Sequence, residues 1–135
     1  MKKLKKSPPY EFVLEDLADI ITTIKPMFGA YGIYREDQIL MILRKKDKTD
    51  KDTGMWVAVV NGEVESLKKQ IPELRDLEMF GPGPTSWQVV GEDLIHFEEI
   101  CIKICDLIRN KDLRIGRTPQ SRLRSKSKRI KRVIK

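Results

Sequence analysis

The sequence has few of the residues on which enzymes and metal sites most often depend. Its 135 residues include one histidine and two cysteines, and only 7% of them are aromatic. A histidine-based catalytic triad would have to use His96. A metal ion bound by Cys101 and Cys105 would need further ligands, and His96, five residues earlier on the same predicted helix, points elsewhere. We therefore predict no catalytic residue, no metal and no cofactor.

Long apolar runs are also absent. The longest uncharged segment, Met79 to Gly91, has thirteen residues and two prolines, whereas a membrane helix needs about 20 apolar residues. The basic start MKKLKK is not followed by an apolar segment, so no signal peptide is expected. These features predict no transmembrane segment, a cytoplasmic location and two reduced cysteines.

The charge is distributed unevenly along the chain. The net charge is +7, with 27 basic and 20 acidic residues. Four lysines lie in residues 1–6 and nine bases in residues 117–135, so residues 7–116 hold 14 bases and all 20 acids. A body with a charge of about −6 is a poor phosphate-binding surface overall, and any contact with nucleic acid would depend mostly on the basic ends.

The hydrophobic pattern predicts one α+β domain with helices packed on an antiparallel sheet. Three segments have helical spacing: Glu11–Ile24, a helix that follows Asn61 as N-cap and ends at Pro72, and Glu92–Arg109. Five segments have strand character: Met27–Tyr34, Gln38–Leu43, Gly54–Val60, Leu74–Phe80 and Thr85–Val90. The predicted order is helix, three strands, helix, two strands, helix. Residues 1–9 form a basic extension, 10–116 the domain and 117–135 a basic tail.

One segment resembles a known family. The sequence KPMFGAYGIY, residues 25–34, is similar to the strand that opens the sheet of TfoX N-terminal-like domains, with Ala30 in place of a frequent second glycine. The FGPGPTSWQ segment and the RIGR ending resemble an uncharacterised bacterial subfamily. The resemblance implies the same order of elements, a bacterial cytoplasmic protein and a regulatory role, and it implies no catalytic residue.

The two glycines of this segment, Gly29 and Gly32, allow two interpretations. In a strand they favour close approach of another element, such as a neighbouring helix. Alternatively, the strand borders a groove for a ligand or partner. The candidate binding residues on that sheet face are Phe28, Tyr31, Tyr34 and Trp87.

Other chemically active residues have simpler structural explanations. Cys101 and Cys105 belong to an apolar helical stripe and are expected to be buried free thiols. His96 is expected on the polar side of that helix. The carboxylates of Asp47, Asp50 and Asp52 lack the spacing of a calcium loop.

The basic tail suggests a second function. Seven basic residues lie in eleven positions without an acid: Arg122, Arg124, Lys126, Lys128, Arg129, Lys131 and Arg132. Such a tail favours salt-sensitive phosphate binding, although it could also bind an anionic membrane or the protein's own acidic body, or be a solvated extension without a binding role. The sequence thus predicts a non-enzymatic binding or regulatory module for a protein partner or small ligand. The alternative is a nucleic-acid-associated protein, and homodimerisation through a sheet edge stays open.

Overall fold

The computed structural model describes residues 7–47, 49–79, 81 and 85–118. These residues form three helices and six strands. In chain order they are α1 Glu11–Asp16, β1 Thr23–Met27, β2 Ala30–Arg35, β3 Gln38–Arg44, β4 Gly54–Ala58, α2 Val64–Gln70, β5 Arg75–Asp76, β6 Trp87–Gly91 and α3 Phe97–Arg109. All strand pairs are antiparallel, in the order β1-β2-β3-β4-β6-β5. The predicted α+β class with an antiparallel sheet is confirmed.

The first predicted helix and the first predicted strand are both wrong in their extents. Helix α1 ends at Asp16, and Thr23 already pairs with Tyr34 in the sheet. A run of β-branched residues from Ile20 to Ile24 favours extended backbone. The predicted strand Met27–Tyr34 is instead a hairpin, which adds one strand to the predicted five.

Three further boundaries differ from the prediction. Helix α2 begins at Val64 after Glu63, so Asn61 is not its cap; Asn61 and Gly62 form a turn. Helix α3 begins at Phe97, because the preceding residues form turns in which Glu92 contacts Tyr10 and Lys45. Strand β5 has only two residues within the segment predicted as Leu74–Phe80, and Phe80 lies outside the described residues.

Each face of the sheet has its own apolar cluster. The first cluster joins the sheet to the helices and includes Val13, Ile33, Met41, Leu67 and Ile104. Its packing is helped by Leu40, an extra residue of β3 that has no partner where the β2–β3 register shifts. The second cluster contains no helix residue and consists of Ala30, Tyr34, Ile39, Ile42, Trp56, Ala58, Leu77 and Val89. We call its side of the sheet the second face.

The two edges of the sheet are poor sites for pairing with another strand. The edge strand β5 has only two residues. The two-residue turn makes Met27 and Ala30 a hydrogen-bonded pair. The next pair, Pro26 with Tyr31, is therefore not hydrogen-bonded, and the backbone nitrogen of Pro26 faces away from β2. Proline has no N–H, so the outer edge of β1 lacks a donor there. Homodimerisation stays a prediction, but neither edge favours it.

The segment after α3 is held between β3 and β4. Ile115 pairs with Val59 and Arg117 pairs with Ile39. Arg114 donates hydrogen bonds from Nε and Nη2 to the two carboxylate oxygens of Asp112, at 2.9 and 2.6 Å. The chain therefore remains paired with the sheet as far as Arg117, which is one residue beyond the predicted end of the domain.

The contact between Asp112 and Arg114 predicts a pH dependence. The Arg114 guanidinium holds the pKa of Asp112 below its ordinary value, so the contact stabilises the fold above about pH 4 and is lost as the pH falls through the lowered pKa. Asp112→Asn should reduce the free energy of unfolding by roughly 1–2 kcal/mol at pH 7. Urea titrations at several pH values should show this difference shrinking below pH ~4. A difference that stays constant with pH would contradict the assignment.

Candidate functional site

The structure does not bring the four predicted binding residues together. Tyr34 and Trp87 belong to the second face, whereas Tyr31 packs against the helix-side cluster. Phe28 lies in neither cluster and occupies the turn between β1 and β2. The prediction that these residues share one face is wrong for Tyr31, because residues three apart on a strand project to opposite sides.

Phe28 and Gly29 form a two-residue hairpin turn. Both have positive φ, 49° for Phe28 and 78° for Gly29, and the flanking residues Met27 and Ala30 pair. Positive φ at both central positions is the requirement of a type I′ turn, which favours Asn-Gly. Gly29 therefore serves the turn rather than the close approach of a helix.

Gly32 serves the packing of side chains. A Cβ at Gly32 would lie 2.8 Å from the Cε of Met27 and 3.1 Å from the Cε1 of Tyr34. The absent side chain thus leaves room for Met27 and Tyr34 on the second face. The predicted packing role of this glycine is correct in kind, but the neighbours are side chains of the same hairpin and not a helix.

The side chain of Phe28 is fully exposed, with an exposed fraction of 101%. Burying a phenylalanine is worth about 1.5–3 kcal/mol, and Phe28 gains none of this in the described structure. The left-handed conformation of a residue with a Cβ costs a further ~1–2 kcal/mol. Phenylalanine in this position is therefore unfavourable for folding for two reasons: its ring stays exposed and its backbone is left-handed.

Two lysines lie beside the hairpin. The Nζ of Lys25 is 4.9 Å from the centre of the Tyr34 ring, a cation–π contact. The Nζ of Lys46 lies 2.6 Å from the position that a Cβ on Gly29 would occupy, so this ammonium group covers the turn. Neither lysine forms an ion pair with a described residue. We call Phe28, Gly29 and Lys46 the hairpin tip; Lys25 lies further along the hairpin, opposite Gly32.

A cavity of about 700 Å³, lined by charged residues and threonines, lies next to the hairpin tip at the loop between β3 and β4. Its lining consists of Lys45, Lys46, Asp47, Thr49, Asp50, Lys51, Thr53, Glu92 and Asp93. Arg44 donates hydrogen bonds to both carboxylate oxygens of Asp50 at 2.9 Å, and these bonds lower the pKa of Asp50. Lys45 and Tyr10 donate to the two oxygens of Glu92 at 2.8 and 2.6 Å.

These contacts give the cavity a structural function. The pKa of Glu92 is lowered mainly by the hydrogen bond from Lys45 and also by that from Tyr10. The pKa of Tyr10 is raised mainly by burial and also by its hydrogen bond to Glu92. Asp52 is buried and accepts hydrogen bonds from the backbone N–H groups of Glu78 and Met79. The carboxylates considered for calcium thus hold the loop in place. In the described part of the chain, no three His, Cys, Asp or Glu residues are arranged so that they could hold a metal ion.

The cysteines are buried as predicted, whereas His96 is exposed but lies just before α3 and not on the helix as predicted. Cys101 and Cys105 are free and buried, and burial raises the pKa of both, that of Cys105 to about 12. His96 directly precedes α3, and its Nδ1 is 2.7 Å from Oε1 of Glu99, with both side chains exposed. Neither arrangement provides an activated nucleophile with an adjacent base.

Comparison with known proteins adds no relative. No family model matches the sequence, and no curated protein or solved structure shows significant similarity to it. Within the described residues, no helix has the length and apolar character needed to cross a membrane. The seven basic tail residues between Arg122 and Arg132 lie outside the residues that the structure describes.

Sequence reasoning identified Phe28 but missed its surroundings. The hairpin turn and the lysine at its tip were not predicted, because Lys46 is eighteen residues distant from Phe28 in the sequence.

Proposed function

We propose that this protein is a non-enzymatic binding module of the TfoX N-terminal-like type, acting in the cytoplasm, whose hairpin tip recognises a protein partner. One observation carries the proposal: Phe28 is fully exposed in a left-handed turn position where it opposes folding. Residues held in unfavourable conformations are common at functional sites. Exposed aromatic residues are also enriched among those that dominate protein–protein binding.

The chemistry around Phe28 defines the kind of partner. Phe28 presents an apolar ring on a short hairpin, and Lys46 adds positive charge beside the turn. An apolar pocket with an acidic rim would complement this surface. Of the other predicted site residues, Tyr34 contacts Lys25 on the second face, and Tyr31 and Trp87 have no part in this surface.

Site-specific photo-crosslinking tests the proposal. Phe28 is replaced by p-benzoylphenylalanine in the full chain, which keeps an aromatic group at the tip, and the protein is irradiated in the cells that produce it. Glu36 is the control position because it also has positive φ, 58°, in the turn between β2 and β3. We expect one dominant crosslinked protein from position 28 and none from position 36. Identical products from both positions would overturn the proposal.

The composition of residues 117–135 favours a second candidate function, phosphate binding by the tail. This segment holds nine bases and no acid, and the structure fixes its start at Arg117 beside Ile39. A tail with a fixed origin and this charge would bind DNA or RNA without sequence preference. Such binding would be independent of Phe28, so the two functions can be separated experimentally.

The tail function predicts a strong salt dependence. Each phosphate neutralised on duplex DNA adds about −0.9 to the slope of log K against log salt. Changing all seven bases from Arg122 to Arg132 to glutamine in the full chain should abolish binding of labelled DNA and RNA, measured by fluorescence anisotropy at two salt concentrations. Phe28→Ala is the control and should bind as the unchanged protein does. Weak, salt-insensitive binding by the unchanged protein would exclude this function.

A further inference from the structure

The cavity beside the hairpin tip contains two cations that the loop between β3 and β4 does not use. Asp50 and Glu92, two of the carboxylates in the lining, already accept hydrogen bonds from basic side chains. Lys46 and Lys51 also line the cavity, and both are exposed. Neither forms an ion pair with a described residue. These two ammonium groups are therefore available to an anion from outside the chain.

The other two carboxylates of the lining have neighbours of their own. The Oδ1 atom of Asp47 accepts hydrogen bonds from the backbone N–H and the hydroxyl of Thr49, at 3.0 and 2.5 Å. The Oδ1 atom of Asp93 lies 2.5 Å from the place that a Cβ on Gly91 would occupy, and Nη2 of Arg75 lies 3.4 Å from the same place. Neither carboxylate forms an ion pair with a lysine of the cavity in the described structure.

Lys46 belongs both to the cavity and to the hairpin tip. Its backbone N–H donates a hydrogen bond to the hydroxyl oxygen of the buried Thr53 at 3.1 Å, and the carbonyl oxygen of Thr53 accepts one from the N–H of Glu92 at 3.0 Å. The side chain of Lys46 extends to Gly29, where its ammonium group covers the turn. The backbone of this lysine is thus fixed before any partner binds, which lowers the entropy cost of binding.

One segment of a partner can reach both Phe28 and the ammonium group of Lys46. Adjacent Cα atoms are about 3.8 Å apart and a C–C bond is about 1.5 Å long, so the Nζ of Lys46 lies at most about 8 Å from the Cα of Phe28. An extended chain advances about 3.3 Å per residue. Two or three residues of the partner therefore cover the distance from the turn to the cavity.

The size and the charge of the cavity define the group that it can take. Its volume of about 700 Å³ is that of a ligand pocket, about 300–1,000 Å³, and exceeds what a single ion needs. The four carboxylates in the lining repel a doubly charged phosphate more strongly than a singly charged carboxylate. The unpaired lysines thus favour a carboxylate.

We infer that this cavity is the second half of the recognition surface and binds an aspartate or glutamate side chain of the protein that Phe28 recognises. The carboxylate contacts Lys46 at the boundary with the hairpin tip and Lys51 in the lining. The inference rests on the proposed function, because contact with Phe28 brings the acidic side chain to the cavity. That acidic residue lies within two or three positions of a partner residue that contacts Phe28.

Crosslinking from the cavity tests whether both halves of the surface bind the same protein. p-Benzoylphenylalanine replaces Asp93, an exposed residue of the lining, in the full chain, and the crosslinked protein is compared with that from position 28. Lys69, an exposed residue of α2, is the control position. We expect positions 28 and 93 to give the same protein and position 69 to give none. In an extract of the same cells, a carbodiimide should join Lys46 or Lys51 to an aspartate or glutamate of that protein, identified by mass spectrometry.

Paired lysine variants test the charge. In the chain that carries p-benzoylphenylalanine at position 28, Lys46→Gln with Lys51→Gln should lower the yield of crosslinked partner roughly tenfold, because two ion pairs are lost. Lys46→Arg with Lys51→Arg keeps both charges and should keep the yield. The matched pair Lys68→Gln with Lys69→Gln on α2 should also keep it.

The outcomes separate this inference from the proposed function. An unchanged yield in the Lys46/Lys51 glutamine variant would overturn the inference while position 28 still gives its partner. A different protein or no protein from position 93, or carbodiimide coupling to a phosphorylated residue, would overturn it in the same way. The absence of a dominant product from position 28 would overturn the proposed function and this inference together.

Discussion

Gly54→Ala should lower the free energy of unfolding by about 3 kcal/mol or more, a large part of the 5–15 kcal/mol typical of a domain. Gly54 opens β4 with a φ of +147°, and it pairs directly with Gly91 of β6. A Cβ at this position would lie 2.1 Å from the carbonyl oxygen of Val90 and 3.1 Å from the nitrogen of Glu92. These are backbone atoms, so relief requires β4 and β6 to separate, and strain at positive φ adds to the cost.

Gly62→Ala is the matched control for this prediction. Gly62 also has positive φ, +88°, but nothing lies within 4 Å of the place where its Cβ would be. The alanine there should cost only the conformational strain of about 1–2 kcal/mol. Chemical denaturation of both variants separates the clash with β6 from the strain of positive φ. Equal losses in the free energy of unfolding would mean that β4 and β6 separate at little cost and that only the backbone strain matters at Gly54.

The sequence was sufficient to predict the fold class because its strongest patterns come from buried elements. The stripe that contains Cys101, Ile104 and Cys105 predicts α3, and the apolar run Gln38–Leu43 predicts a strand; both elements are present and largely buried. The same reasoning extended helix α1 through Ile24, because apolar spacing continued beyond the real end of the helix. Pairing of Thr23 with Tyr34, eleven residues later in the same hairpin, is not encoded by the apolar spacing of residues 11–24.

The candidate site was harder to predict than the core. Nothing in the run Met27–Tyr34 interrupts its apolar character, and the turn uses phenylalanine where asparagine is the common signal. The opposite faces of Tyr31 and Tyr34 were available from strand periodicity alone. The position of Lys46 over Gly29 was not, because it depends on the pairing of β2 with β3. Because phenylalanine is uncommon in such a turn, Phe28 gives no sequence signal for the turn between β1 and β2.

Phe28→Asn should have opposite effects on stability and on function. Asparagine followed by Gly29 is the favoured pair for a type I′ turn, so the variant should gain about 1 kcal/mol in the free energy of unfolding. The same change removes the only fully exposed aromatic ring among the described residues and should abolish recognition of the partner. Loss of an aromatic residue central to an interface typically costs ~2–4 kcal/mol, a reduction in affinity of roughly 30- to 1,000-fold.

Glu36→Asn separates turn chemistry from recognition. Glu36 has a φ of +58°, and asparagine there relieves the same kind of strain without touching the hairpin tip. Thermal denaturation should show a gain for both variants, while capture of the partner identified by crosslinking should fail only for Phe28→Asn. If Phe28→Asn instead lowers the stability, Phe28 is required by the fold and its exposure is no longer evidence of a binding role. If it raises the stability and leaves capture intact, the hairpin tip is not the recognition site.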